Sequence, residues 1–284
     1  MNSTAESWSS AINRSNLAFS VRELLTRTGL DGETEFPSAA VLNDVVRRHH
    51  PVNWPGPEFK GQSSFPLSEQ RYYEQIIFED NVVPTRENSW HDLFNALIWL
   101  QFPRTKRCLN NLHMQDIRRF GVSPRTPARN RITHFDECGV VIAVPDDMKA
   151  QAEPLLNALA MHNWQQVLVE HRDKWGQLLF PVIFGHANLE MLLNPFTGLT
   201  GKWMAVTVPP GFASMSFEQQ CRETDCAIEQ KIASCDVFQS KGMLHPLPLL
   251  GVPGWYPVQD RQFYANTDYF RAVSSKKQLQ MPLI

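Results

Sequence analysis

The chain has little of what marks several common protein classes. No apolar run in its 284 residues reaches the roughly 18 that a membrane-crossing helix needs, so no membrane partner is expected. The opening MNSTAESWSSAINRSNLAFS lacks the basic start and unbroken apolar core of a secretory signal, which makes a cytoplasmic protein the expectation. Cysteines number five, an odd count without a CxxC pair, which suits that compartment. Cys221 and Cys235 read as small core residues on the stripe of a late helix rather than as ligands. There is no internal repeat, no low-complexity tract and no HExxH. Neither charge sign dominates: 27 basic against 29 acidic residues leave a net charge of −2, which disfavours general nucleic-acid binding but leaves a localised anion site open.

What the chain does have is a concentrated stretch at residues 88–107, NSWHDLFNALIWLQFPRTKR. Ser89 with Asp92 three residues on is a capping-box-like start, with a negative charge in the first turn. Trp90, Leu93, Phe94, Leu97 and Ile98 fall at helical spacing, and Trp99 and Leu100 widen the apolar arc, so this helix is expected to be buried. His91 and Asn95, four apart, then enter apolar surroundings together and need partners. Pro103 ends the helix or opens the next, and Arg104, Lys106 and Arg107 follow. Between Arg104 and Arg131 eight Lys or Arg face one acid, Asp116, which makes this segment a candidate anion-binding surface, or a solvated face paired with acids elsewhere.

Along the chain, amphipathic helices are expected near 17–30, 38–49 and 68–80, with a proline- and glycine-rich loop at 50–65 packed through Trp54 and Phe59. A helix from Pro103 to about Phe120 ends on Gly121 and places His113 on or beside its core-facing stripe. Residues 131–135 and 140–144 read as a hairpin around a turn at 136–139, with Asp136 and Glu137 in solvent. Residues 145–162 read as a helix that Pro154 splits in two. The apolar segment PVIFGHANLEMLL is expected to be helical. A strand follows near 202–208 and a helix near 216–238, and the proline-rich segment from His245 should wrap the body in extended form.

Chemistry concentrates on histidines and carboxylates. His186 and Glu190, at i and i+4, share a helical face, the geometry two ligands of one metal need. With His91 and His113 they make a candidate cluster drawn from three helices; a structural polar network is the competing reading. The His91-Asp92 dipeptide invites comparison with HD-type phosphohydrolases, but nothing around His49, His50, Asp116 or Asp136 fits the rest of that pattern. TGLTGK at 197–202 lacks the glycine spacing and the final Ser or Thr of a Walker A loop. A Gly-rich turn beside Lys202 can still receive an anion through backbone N–H groups.

WHDLFNAL, FPRTK, Asn110 with His113, RTPARN followed by THFDECG, FGHANLE, NPFTGLTGK and PLPLLGVPGW, taken in order, resemble the recurring segments of the bacterial domain-of-unknown-function family 3025. The resemblance spans about residues 72–255 and implies a bacterial cytoplasmic protein without supplying a reaction. Its motif positions here are His91, Asp92, Asn95, Arg104, Lys106, His113, Arg125, Arg129, Asp136, Glu137, His186, Glu190, Lys202 and Trp255; Asn130 departs from the Asp expected in many relatives.

The expected architecture is a single α+β domain over 1–284, mostly helical, with a small antiparallel β-sheet and long proline-rich loops. Its core is expected at about 68–258, and residues 1–67 form a helical and loop extension packed on it. The expected function is hydrolysis of a phosphate-bearing substrate such as a nucleotide or RNA. His91, Asp92, Asn95, His186 and Glu190 would be catalytic. Arg104, Lys106, Arg125, Arg129, Lys202 and Trp255 would bind substrate, and a divalent metal (Zn or Mn) would sit on His91, His113, His186 and Glu190. The alternative is a non-catalytic RNA- or phospholigand-binding protein with a structural His/Glu network.

Overall fold

A computed structural model describes residues 7–234, 237–239 and 242–273. Its N-terminal part is three helices: α1 (Trp8–Ile12), α2 (Phe19–Thr28) and α3 (Ala39–His49), the first and third started by Ser7 and Ser38 side chains that accept from backbone N–H groups. Trp8 stacks on Trp90 at 4.9 Å and meets Phe36 edge-on at 5.3 Å, which ties this part to the central helix. Strand β1 (Glu58–Gly61), helix α4 (Tyr73–Asp80) and β2 (Val82–Thr85) follow, and β1 pairs with β2 in parallel. The loop expected at 50–65 therefore contains a short strand, and Phe59 within it is buried.

Helix α5 (Trp90–Gln101) begins as its sequence dictates, with Ser89 Oγ accepting from the Asp92 N–H at 3.2 Å, and its residues from Leu93 to Leu100 are all buried. Pro103 opens α6 (Pro103–Phe120), where its missing N–H costs nothing because first-turn donors have no intrahelical partner. The next element differs from the expected hairpin: residues 127–138 form one helix, α7 (Pro127–Cys138). Thr126 caps it and Pro127 is its first residue, and the buried positions Arg129, Ile132 and Phe135 recur every three residues, a helical rather than a strand period. Asp136 thereby lies in the last turn of a helix and faces inward.

Strand β3 (Gly139–Pro145) is buried along its whole length, as a central strand must be. Helix α8 (Lys149–Ala160) runs unbroken through Pro154, which lies on its solvent side. A π-helical turn at Gln165–Glu170 leads to β4 (Phe180–Ile183) and the short helix α9 (His186–Met191), so the apolar segment expected as one helix is a strand, a glycine turn and a helix. Strand β5 (Thr200–Val208), helix α10 (Phe217–Ser234), strand β6 (His245–Pro248) and α11 (Arg261–Tyr264) complete the order. Cys221 is buried as expected, whereas Cys235 lies outside the described residues.

The larger sheet has strand order β4-β3-β5-β6. Its outer pairs are antiparallel, but β3 and β5 are parallel, so the sheet is mixed rather than antiparallel. The two edge strands carry prolines, Pro181 in β4 and Pro246 and Pro248 in β6, where a missing N–H is tolerated. Among the described residues no helix is long and apolar enough to cross a membrane.

Gly185 sets how closely α9 approaches α7. The N–H groups of Phe184 and Gly185 both donate to the Gly139 carbonyl, at 3.0 and 2.8 Å. A Cβ on Gly185 would stand 2.4 Å from the Glu137 carbonyl oxygen and 2.5 Å from the Gly139 nitrogen, both backbone atoms that cannot step aside. Gly185→Ala is therefore expected to destabilise the protein by about 1–3 kcal/mol, the usual range for overpacking. Urea denaturation measures this; a variant as stable as wild type would show that the junction yields.

Candidate functional site

The strongest polar feature is a chain of buried contacts joining α5, α6, α7 and α9. It starts with Lys106, a residue with only 5% of its surface exposed although it carries a charge. Its ammonium donates to Asp136 Oδ1 at 2.5 Å and to Asn95 Oδ1 at 2.9 Å. Asn95 Nδ2 in turn donates to the Tyr73 hydroxyl at 2.8 Å, which uses both ends of the amide. Burial works against the ionised form of Asp136, but the Lys106 charge and the neighbouring His186 outweigh it and hold the carboxyl below its ordinary range. Burial also keeps Tyr73 a protonated phenol, with its pKa well above the ordinary value.

Asp136 Oδ2 lies 3.8 Å from His186 Nδ1. His186 Nε2 faces His91 Nε2 at 3.1 Å, and His91 Nδ1 meets Glu190 Oε2 at 2.9 Å. The two imidazoles meet at 79° with centroids 4.5 Å apart; Glu190 is hydrogen-bonded to the other nitrogen of His91, whereas Asp136 lies beyond hydrogen-bond reach of His186 Nδ1, a buried atom without a hydrogen-bond partner among the described residues. The protonation of the two rings is driven apart. The hydrogen bond from Glu190 raises the His91 pKa above 6.5 against the effect of burial. Burial lowers that of His186 to about 4, assisted by the Lys106 and His91 charges and opposed by Asp136. Two lone pairs cannot face each other at 3.1 Å, so a proton lies between the Nε2 atoms. The raised pKa of His91 and the lowered one of His186 both favour His91 as the donor in this contact.

These groups open on a cleft of about 270 Å³ whose lining includes His91, Asp92, Asn95, His113, Asp136 and His186, with Arg86 and Arg125 among its charged groups. Arg125 is exposed and reaches the Tyr72 hydroxyl at 2.8 Å and Thr133 Oγ1 at 3.3 Å. His113 is buried, with Nε2 4.0 Å from Glu74 Oε1 and Nδ1 without a hydrogen-bond partner.

Several residues expected at the site serve elsewhere. Asp92 is clamped by Arg86, whose guanidinium meets it at 2.7 Å and whose backbone N–H donates at 2.6 Å, so its role is to fix the entry to α5. Arg104 turns to Glu229 of α10 at 3.5 Å. Arg129 is fully buried, bonded to the Gly121 and Val122 carbonyls and 3.3 Å from Asp116, which makes it a structural residue of the α6–α7 connection. Lys202 pairs across β5 with Gly139 and Pro246, outside the cleft lining, and Trp255 lines a different cavity. The basic run from Arg104 to Arg131 is not one surface, because α6 turns successive side chains in different directions: Arg107 reaches Pro55 and Asn81, Arg118 lies over Phe78 and Arg131 holds Phe238 and Gln239. Glu190 does not converge with His186 on a common point, since the two contact opposite nitrogens of His91. Among the described residues no three His, Cys, Asp or Glu are grouped to hold a metal ion.

Tyr72, Tyr73, Glu74, Arg86 and Thr133 join the lining without having been singled out. Tyr72 and Tyr73 read from sequence as the apolar side of a helix, and only the capping contact of Gln75 to the Tyr72 backbone N–H at 2.8 Å hints that the pair sits at a helix start.

The fold and cleft define a mixed α+β protein built around a buried His-carboxylate-lysine network. The chain belongs to the family described as Protein of unknown function (DUF3025), whose model matches residues 58–274. No match was found to a curated protein or to a solved structure.

The network makes two predictions. Lys106→Met leaves Asp136 buried without its cation and should cost about 3–5 kcal/mol, most of it recovered in Lys106→Met with Asp136→Leu; urea midpoints of the single and double variants measure both. The second concerns pH. His91 binds its proton more tightly when folded, so its contribution is complete below pH 6.5 and is lost as pH rises through its raised pKa. His186 resists protonation when folded, so stability also falls as pH drops from 6.5 toward about 4. In Glu190→Gln, the His91 pKa should fall from its wild-type position, because the largest upward cause is removed while burial persists and only Asp92 still opposes it; histidine NMR titration reads this, and an unmoved His91 would refute the assignment.

Proposed function

We propose that the cleft is the active site of a hydrolase acting on a phosphate-bearing substrate such as a nucleotide or RNA. The observation that supports this reading is the pair of Nε2 atoms meeting at 3.1 Å at the cleft, with the Glu190 carboxylate hydrogen-bonded to the other nitrogen of His91. A carboxylate behind one imidazole nitrogen fixes the tautomer and raises the basicity of the other, the arrangement of an oriented general base. Glu190 orients His91 through Nδ1; in its deprotonated form His91 exchanges the His186 contact at Nε2 for a water and takes the proton of that water as it attacks. Rings this close leave no room for a phosphorus atom between them, so they act from one side of the substrate rather than as base and acid on opposite sides. Arg125 meets the anionic oxygens and supplies positive charge as they develop it.

A divalent ion, Zn or Mn, is a second form of the same reading. Two nitrogens each about 2.0–2.1 Å from one ion stand within roughly 4 Å of each other, and the facing Nε2 atoms satisfy that limit. Glu190 would then be the carboxylate that orients a metal-bound His91. Such an ion would lower the pKa of a bound water.

The test is turnover of p-nitrophenyl phosphate, bis-p-nitrophenyl phosphate, nucleotides and a short RNA. His91→Asn should reduce kcat by roughly 10²–10⁴, the usual worth of a general base, and Arg125→Ala should raise KM. Binding of nucleotide or RNA with no turnover of any of these would replace the hydrolase by the non-catalytic binding protein. Elemental analysis separates the two catalytic forms: about one equivalent of Zn or Mn, lost in a folded His186→Ala variant, selects the metal, and metal-free turnover rejects it.

A further inference from the structure

One side of the cleft holds polar groups that the network leaves half used. Lys106 can only donate, so it fixes the Asn95 amide with Oδ1 toward itself and Nδ2 toward Tyr73. The Tyr73 oxygen is thereby an acceptor, and its own proton has no acceptor within hydrogen-bond reach among the described residues. That proton stays in place, because burial and, after it, the charges of Glu74, Asp136 and Asp92 hold the phenol neutral. All three carboxylates line the cleft, as Tyr73 itself does. Glu74 is in the complementary state: its Oε2 accepts from Asn110 at 2.6 Å, while Oε1 stands 4.0 Å from His113 Nε2, too far for a hydrogen bond. The shielded unpaired atoms of the described residues include His113 Nδ1 but neither Glu74 Oε1 nor His113 Nε2, so these two open on the space before them. Tyr73, Glu74 and His113 also border one small cavity of about 10 Å³ and therefore lie together.

An unused donor beside an unused acceptor selects its ligand. An anionic oxygen would satisfy Tyr73 but meet the Glu74 charge; an ammonium would satisfy Glu74 but set its protons against that of Tyr73. A hydroxyl accepts from one and donates to the other, and the 4.0 Å gap between Glu74 and His113 admits one oxygen at hydrogen-bond distance from both. Arg125 lines the same cleft, so a phosphate there and a hydroxyl at Glu74 can belong to one molecule. We infer that Tyr73, Glu74 and His113 form a hydroxyl subsite that takes a ribose hydroxyl of the substrate, which makes ribonucleotides or RNA, not their deoxy counterparts, the substrate class. The subsite rests on the reading of the cleft as a phosphate site and narrows what that phosphate is attached to.

The experiment is titration of the full chain with adenosine monophosphate and its 2′-deoxy and 3′-deoxy analogues, with sugar-free phenyl phosphate as the reference and histidine NMR to locate the binding. The ribonucleotide should bind roughly ten- to hundred-fold more tightly than at least one deoxy analogue, the worth of a hydrogen bond to a charged group, and should shift the His113 ring signals. In Glu74→Gln that ratio should shrink several-fold. Tyr73→Phe reads the same ratio should Glu74→Gln fail to fold. Equal binding of all three nucleotides, which would leave a lone water as the occupant, an unchanged ratio in the folded variants, or an unmoved His113 would each overturn the subsite while the phosphate reading stands. Binding of none of these phosphates, phenyl phosphate included, would overturn both.

Discussion

The Lys106–Asp136 ion pair constrains more of this structure than any other contact. A lysine and an aspartate with 6% and 17% of their side chains exposed have given up most of their hydration, and only close mutual contact with further hydrogen bonds offsets that loss. Each further bond fixes another element. Asn95 takes the second Lys106 proton and so sets the rotation of α5; Tyr73 takes the Asn95 amide and sets α4; the second Asp136 oxygen faces His186 and sets α9. Lys106 also stands 5.5 Å from the centroid of the Trp99 ring, whose negative face adds to the compensation. Apolar residues of equal volume would fill the same space, but they would not dictate which face of four helices looks into the cleft.

The two histidines illustrate how a protein divides identical side chains into different roles. Both rings start from the same intrinsic basicity, yet a partly exposed Glu190 pulls one toward the charged form while near-complete burial pushes the other toward the neutral form. Their contact turns that difference into a directional hydrogen bond. The basic residues that look most suited to an anion in sequence are largely consumed by the fold. Arg129 closes the α6–α7 turn and Arg86 clamps Asp92, which leaves exposed Arg125 held only by hydroxyl groups.

How much of this was legible from the chain depended on whether the signal was local. The α5 start, the α6 boundaries and the burial of His113 follow from caps, proline and apolar spacing, all carried within a few residues. The residues of α7 misled because Ile132, Thr133 and Phe135 are β-branched or aromatic and so favour a strand, while the helical spacing of Ile132 and Phe135 is completed by Arg129, a charged residue that is not expected inside. That single error moved Asp136 from a solvent turn to the centre of the network. The partners of β3 are 37 to 63 residues away in sequence, so its parallel pairing with β5 had no local signature. His91 and Glu190, expected in one cluster with His113 and His186, do meet at 2.9 Å, but which imidazole nitrogen meets which partner is a matter of side-chain torsion that spacing does not encode.

The prolines on the sheet edges carry a consequence of another kind. A sheet grows between molecules only where an outer strand can both donate and accept along its free side. Pro181 removes a donor from one border, and Pro246 and Pro248 remove two from the other. The four-stranded layer thus lacks these donors at both rims, which disfavours its extension by a strand of a second molecule.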